Sequence, residues 1–179
     1  MKGRYNKNTV AQIAGKSVFF DANILLYLFW QTGANKWERH YASIFGLLLK
    51  QQNQLVVDFM VVSEVINRAM RIEYEKYKIS TGLNCKYKTY RNSTDGENAL
   101  KAIYIIIKNN VLNYFLVDGK INTKSDIESY LTVDHLDFND KSIVSLCLEK
   151  GYILFTNDGD YSACDVDILS ANSILTTKT

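Results

Sequence analysis

Short, continuous apolar runs alternate along the chain with stretches whose apolar residues recur at helical spacing. Val18-Phe19-Phe20 reads as the end of a strand buried on both faces, as in a parallel sheet, Leu55-Val56-Val57-Asp58 as a short strand, and Tyr152-Ile153-Leu154-Phe155-Thr156 as a buried strand. Residues 166–169 give a last short strand. The first run is followed by a helix that starts with Ile24, Leu25 and Leu26 and extends to about Thr32. Thr32-Gly33-Ala34-Asn35 breaks it. Further helices are expected over 37–50, 59–71, 97–109, 125–131 and 140–150, each with an apolar stripe. Ser125 and Glu128 have the spacing of a capping box, and Gly151 has the place of a C-terminal glycine. Residues 111–117 fit either a strand or a helix, and Leu131-Thr132-Val133 reads as a strand.

This alternation predicts an α/β protein: a three-layer α/β/α sandwich with a mainly parallel central sheet and right-handed crossovers. One domain over 1–179 accommodates it, with a core at about 17–72 and 131–172. Residues 1–16 read as a polar arm with a short amphipathic piece. Residues 72–95 mix Lys, Arg and Tyr with little periodicity, so they read as a helix end plus loop. They open an enlarged, helical insertion at about 72–130 that does not form a separate domain.

Composition changes this picture little. Apolar residues make up 47% and charged residues 22%, ordinary for a globular protein. A net charge of +2 makes any nucleic-acid surface a local patch. Cys85, Cys147 and Cys164 show neither metal-ligand spacing nor pairing, which fits reduced thiols and a cytoplasmic setting. The longest apolar run, 18–30, contains Asp21 and Asn23 and falls short of the ~20 residues of a membrane helix. No membrane partner is expected.

The chemistry lies in acids that recur where strands end and helices begin. Asp21 follows the first strand, Glu64 lies early in the helix after the second, Asp140 opens a helix, and Asp158 follows the strand at 152–156 with Asp160 two residues on. In an open parallel sheet these positions share the carboxyl edge, where functional groups collect. Each also has a plainer reading: an N-cap for Asp21 and Asp140, a dipole partner for Glu64, turn residues for Asp158 and Asp160. Four carboxylates within a few ångströms would repel one another unless a cation neutralised them. Oxygen-only ligands favour a hard ion, Mg²⁺ or Mn²⁺, and its bound waters suit phosphodiester hydrolysis.

Four segments carry a resemblance. FFDANILLY, VVSEVINR, FNDKSIVSL and LFTNDGDY resemble, in order, the motifs of the PIN-domain nucleases, which include the toxin ribonucleases of bacterial toxin–antitoxin pairs. The resemblance covers about 17–172. It implies a PIN-like fold and a metal-dependent endoribonuclease with Asp21, Glu64, Asp140 and Asp158 as catalytic and metal-binding acids. Asp160 is then a secondary ligand, and Thr156 occupies a supporting polar position. RNA is the implied partner; a cognate antitoxin protein and a homodimer are further partners to consider. Residues 72–130 exceed the smallest toxins of this type.

Other polar residues support the site. Asn23 sits two residues after Asp21, and Ser63 and Asn67 flank Glu64, each able to orient a carboxylate or a phosphate. Lys86, Tyr87, Lys88, Tyr90 and Arg91 form a basic–aromatic segment suited to phosphates and unpaired bases, or simply to a solvated face. His40 and His135 read as structural. Two rival functions stand beside the nuclease: a catalytically silent PIN-like module that binds RNA or protein, and a haloacid-dehalogenase-like phosphotransferase. The latter wants a second Asp where this chain has Asn23.

Overall fold

The carboxyl ends of six parallel strands set the plan of the molecule, described here by a computed structural model for residues 2–30 and 33–176. In chain order the strands are β1 (Arg4–Tyr5), β2 (Ser17–Phe20), β3 (Gln54–Val57), β4 (Leu116–Val117), β5 (Ile153–Phe155) and β6 (Ile168–Leu169). They lie side by side in the order β1-β6-β5-β2-β3-β4, and every pairing is parallel. The helices are α1 (Ala22–Phe29), α2 (Asn35–Lys50), α3 (Phe59–Thr81), α4 (Tyr87–Arg91), α5 (Thr94–Ile106), α6 (Lys124–Tyr130), α7 (Phe138–Lys150) and α8 (Ser173–Thr176).

From β2 the chain moves outward to β3 and β4, then returns across β2 to β5 and β6. With right-handed crossovers, a reversal of direction puts the two sets of helices on opposite faces. The result is the expected α/β/α sandwich. Helices α1 to α5 pack among themselves, and α6 packs on α7. Val18, Phe19, Phe20, Val56, Val57, Ile153, Leu154 and Phe155 are all buried, which is why the central strands read as unbroken apolar runs. Phe20 meets Phe155 and Phe115 edge-on, with centroids 5.0 and 4.9 Å away.

Several expected boundaries shift. The first helix ends at Phe29; the break expected at Thr32 lies outside the described residues. Helix α3 runs ten residues past the expected Arg71, to Thr81, where Gly82 at φ 69° stops it. Its tyrosines Tyr74 and Tyr77 lay their rings against Tyr90 of α4, so an apparently polar segment packs through its aromatic bodies. Helices α4 and α5 approach so closely that a Cβ on Gly96 would stand 2.1 Å from the Tyr90 carbonyl oxygen.

The capping box belongs to Thr123 and Asp126, not Ser125 and Glu128. The strand expected at Leu131-Thr132-Val133 is absent from these described residues; there the Thr132 carbonyl and hydroxyl accept from buried Lys141. The ambiguous 111–117 segment divides into the end of a π-helical turn over Ile107–Leu112 and strand β4. The insertion therefore contributes a strand to the sheet. So does the N-terminal arm: Arg4 of β1 donates to the carbonyls of Val166 and Cys164, and β1 pairs with β6.

Candidate functional site

Strand β2 sits where the sheet order reverses, paired with β3 on one side and β5 on the other. A crevice opens at the carboxyl end of such a pair because the helices leaving it depart to opposite faces. Asp21 is the first residue past β2, and its backbone N–H continues the ladder by donating to the Phe155 carbonyl. Asp21 holds the N-cap position of α1, yet its side chain caps nothing. It turns instead toward β5. Thr156 Oγ1 donates to Asp21 Oδ2 at 2.6 Å, and Asn23 Nδ2 donates to the same oxygen at 2.6 Å.

Both donors are themselves fixed. The Asp158 backbone N–H donates to Thr156 Oγ1 at 3.0 Å, so a continuous hydrogen-bonded line joins Asp158, Thr156 and Asp21. Asn23 Oδ1 accepts from the Asn157 backbone N–H at 3.2 Å. Asp158 Oδ1 accepts in turn from the Asp160 N–H and caps the short 3₁₀ turn Gly159–Ala163. Asp160 is exposed.

The other two acids arrive on helices. Glu64 lies on the second turn of α3 and pairs with Arg68 one turn on, at 3.1 Å. Asp58, buried after β3, caps that helix by accepting from the Val61 N–H. Asp140 lies in the first turn of α7, but the cap is Asp137, whose Oδ1 accepts from the Asp140 N–H at 2.8 Å. The Asp140 carboxylate accepts from the Tyr161 hydroxyl.

Burial pushes the Asp21 carboxyl up to about 7; the Thr156 hydrogen bond opposes that rise, and the charges of Glu64 and Asp140 add to it. Burial also raises Asp140, against the Tyr161 hydrogen bond and with the charges of Asp137 and Asp158. Burial and the charge of Asp21 drive the Tyr161 phenol far above its ordinary value. The charges of Glu64 and Asp140 thus act on Asp21, and that of Asp158 on Asp140, at one sheet edge. Among the described residues, however, no three His, Cys, Asp or Glu approach closely enough to enclose a metal ion.

The donors present suit a hard cation. They are carboxylate, amide and hydroxyl oxygens, and no Lys or Arg forms an ion pair with Asp21, Asp140 or Asp158 among the described residues. A Mg²⁺-type ion is held through one or two carboxylates while keeping several waters. Of the acids at this edge, Asp21 and Asp140 are the carboxylates that would hold such an ion.

The flanking residues divide. Ser63, Glu64, Asn67 and Arg68 of α3 line a concavity with Asn139 of α7. Tyr90 is buried between Tyr74 and Tyr77 and holds helices together, so its ring offers no face to a base. Tyr87 carries the Arg71 guanidinium 4.9 Å above its ring. Lys86, Lys88 and Arg91 are exposed, and so are His40 and His135. Sequence reasoning did not single out Tyr161, Asp137 or Arg68. Tyr161 closes the LFTNDGDY segment, and Arg68 lies four residues after Glu64, a spacing that pairs charges on a helix.

No protein-family model matches this chain, and no curated protein matches it. Among the described residues no helix is long and apolar enough to cross a membrane.

Proposed function

We propose that the protein is a Mg²⁺- or Mn²⁺-dependent endoribonuclease of the PIN-like type, with Asp21, Glu64, Asp140 and Asp158 as its acidic centre. The observation that carries this reading is the setting of Asp21. A buried carboxylate stands at the topological switch point, oriented by two neutral donors on one oxygen and raised by two further acids. Burial of that kind costs stability unless a cation faces it. When bound, the ion supplies a polarised water and neutralises charge that builds on the phosphodiester.

The chain's own residues do the rest. Thr156 and Asn23 fix the rotamer of Asp21, so its other oxygen, Oδ1, receives neither bond. Tyr161 holds Asp140 in the same way. Arg68 sits beside Glu64 and supplies a positive charge near an incoming phosphate. The motif resemblance makes the toxin of a toxin–antitoxin pair, held by a cognate antitoxin, the biological setting of this reading.

The test is cleavage of an end-labelled single-stranded RNA by the full chain. Internal cuts in Mn²⁺ or Mg²⁺, stopped by chelator and restored by added metal, support the reading. Binding without cleavage under all these conditions assigns the silent, RNA-binding alternative.

A further inference from the structure

Three concavities lie along the exposed side of α3 and share its residues. The first contains Glu64 and Asn139, the second Asn23 and Tyr27, and the third is walled by α3, α4 and α5. Asn67 belongs to the first and third, Arg68 to the first and second, and Arg71 to the second and third. Through these shared residues the three concavities follow one another from Glu64, near the acidic edge, to the insertion. The rise along α3 from Glu64 to Arg71 is about 10 Å.

The far pocket has a volume of about 730 Å³, within the ~300–1,000 Å³ span of small-ligand sites. Its polar lining is Asn67, Arg71, Tyr87, Arg91, Asn92 and Tyr104, without a carboxylate. Neither Arg71 nor Arg91 is in an ion pair among the described residues. Arg71 is set in place by the Tyr87 ring beneath it. Tyr104 is 52% exposed, so one large aromatic ring stands open at the rim. Two guanidinium groups without a carboxylate partner among the described residues, Arg91 donating there only to the Asn92 side chain, stand beside an open aromatic ring and match a phosphate joined to a planar base.

We propose that this pocket is a nucleotide subsite that holds one base and its phosphate from a single-stranded RNA. Tyr104 stacks on the base, while Arg71 and Arg91 hold the phosphate. The strand then follows Asn67 and Arg68 to the acidic edge, so the held nucleotide sets which phosphodiester reaches it. The inference rests on the ribonuclease reading for the fate of the strand, and not for its binding.

The experiment is equilibrium binding of a fluorescein-labelled single-stranded RNA nonamer to the full chain in chelator, across a series of salt concentrations. The proteins compared are wild type, Arg91→Gln, Tyr104→Ala, Tyr104→Phe and, as a control on α6, the exposed Lys124→Ala. Arg91→Gln and Tyr104→Ala should each weaken binding roughly tenfold. Arg91→Gln should flatten the log–log salt slope by about 0.7, as expected for one lost phosphate contact. Tyr104→Ala should leave the slope unchanged, and Tyr104→Phe and Lys124→Ala should bind like wild type. Unchanged affinities in Arg91→Gln and Tyr104→Ala, or no binding by wild type, overturn the subsite. A parallel cleavage assay in Mn²⁺ separates the two ideas. Weakened variants of a protein that never cleaves leave the subsite standing and remove the nuclease. Normal cleavage with unchanged affinities does the reverse.

Discussion

Thr156 Oγ1 donates to Asp21 Oδ2 across 2.6 Å, joining residues that lie 135 positions apart in the chain. The bond ties the ends of two neighbouring strands, and Thr156 is fully buried. Thr156 also accepts from the Asp158 N–H, so its hydroxyl serves two acids at once. Thr156→Val keeps the branched shape and removes both bonds. It should cost about 1–3 kcal/mol of stability, because it removes one of the two donors on the buried Asp21 carboxylate and the acceptor of the Asp158 N–H. Denaturant melts in chelator measure this, and cleavage should fall with it. A Thr156→Val protein as stable as wild type would mean that the hydroxyl does not organise the site.

The Asp21 carboxyl at about 7 gives a pH dependence with a definite sign. Its unfolded value is near 4, so folding favours the protonated form. That contribution is complete below about pH 4 and is lost as pH rises through about 7. It amounts to at most about 4 kcal/mol. Metal-free wild type should therefore lose stability between these values, while Asp21→Asn should vary less over the same range. Parallel pH profiles of both proteins above pH 4 would contradict the burial of a proton-holding Asp21.

Asp137 and Asp140, three residues apart at the start of α7, set a helix cap against a proposed site acid. Asp137 caps α7, so Asp137→Ala should cost about 1 kcal/mol with or without metal. Asp140→Asn keeps an acceptor for Tyr161 and removes a charge, so in chelator it should be neutral or stabilising. Millimolar Mn²⁺ should then raise the melting temperature of wild type more than that of Asp140→Asn. Equal gains in the two proteins would remove Asp140 from the metal site.

The sheet was legible because its central strands are buried on both faces: Val18-Phe19-Phe20 and Ile153-Leu154-Phe155 can hardly read as anything else. The places of Asp21 and Asp158 were legible, since a carboxylate just past an apolar run lands on the strand-end edge. Their partners were less so. Nothing local links Tyr161 to Asp140 or Thr156 to Asp21; those bonds exist only once β5 lies beside β2. Helix α7 starts at Phe138, two residues before the expected Asp140, because Asp137, the same residue type three positions earlier, takes the cap. Strands β1 and β4 are two-residue edges without a periodic signal. The second half of α3 hid behind tyrosines and lysines that bury their rings and stems.

Glu64 and Arg68 give a test that keeps folding out of the result. Their ion pair is well exposed to solvent, so losing it should cost under about 0.5 kcal/mol. Glu64→Gln should thus melt like wild type in chelator while cleavage drops on the order of 100-fold. Full activity in Glu64→Gln would confine the centre to Asp21, Asp140 and Asp158.

The central claim is that the carboxylate of Asp21 supports metal-dependent cleavage of RNA, and Asp21→Asn addresses it most directly. The measurement is the single-turnover rate on a labelled single-stranded RNA in Mn²⁺, for wild type and for an Asp21→Asn protein of matching circular dichroism. The amide keeps the size of the side chain and gives up the charge that holds a hard cation. We expect metal-dependent internal cuts from wild type and none from Asp21→Asn, with RNA affinity in chelator unchanged. A folded Asp21→Asn protein that cuts at the wild-type rate would contradict the account.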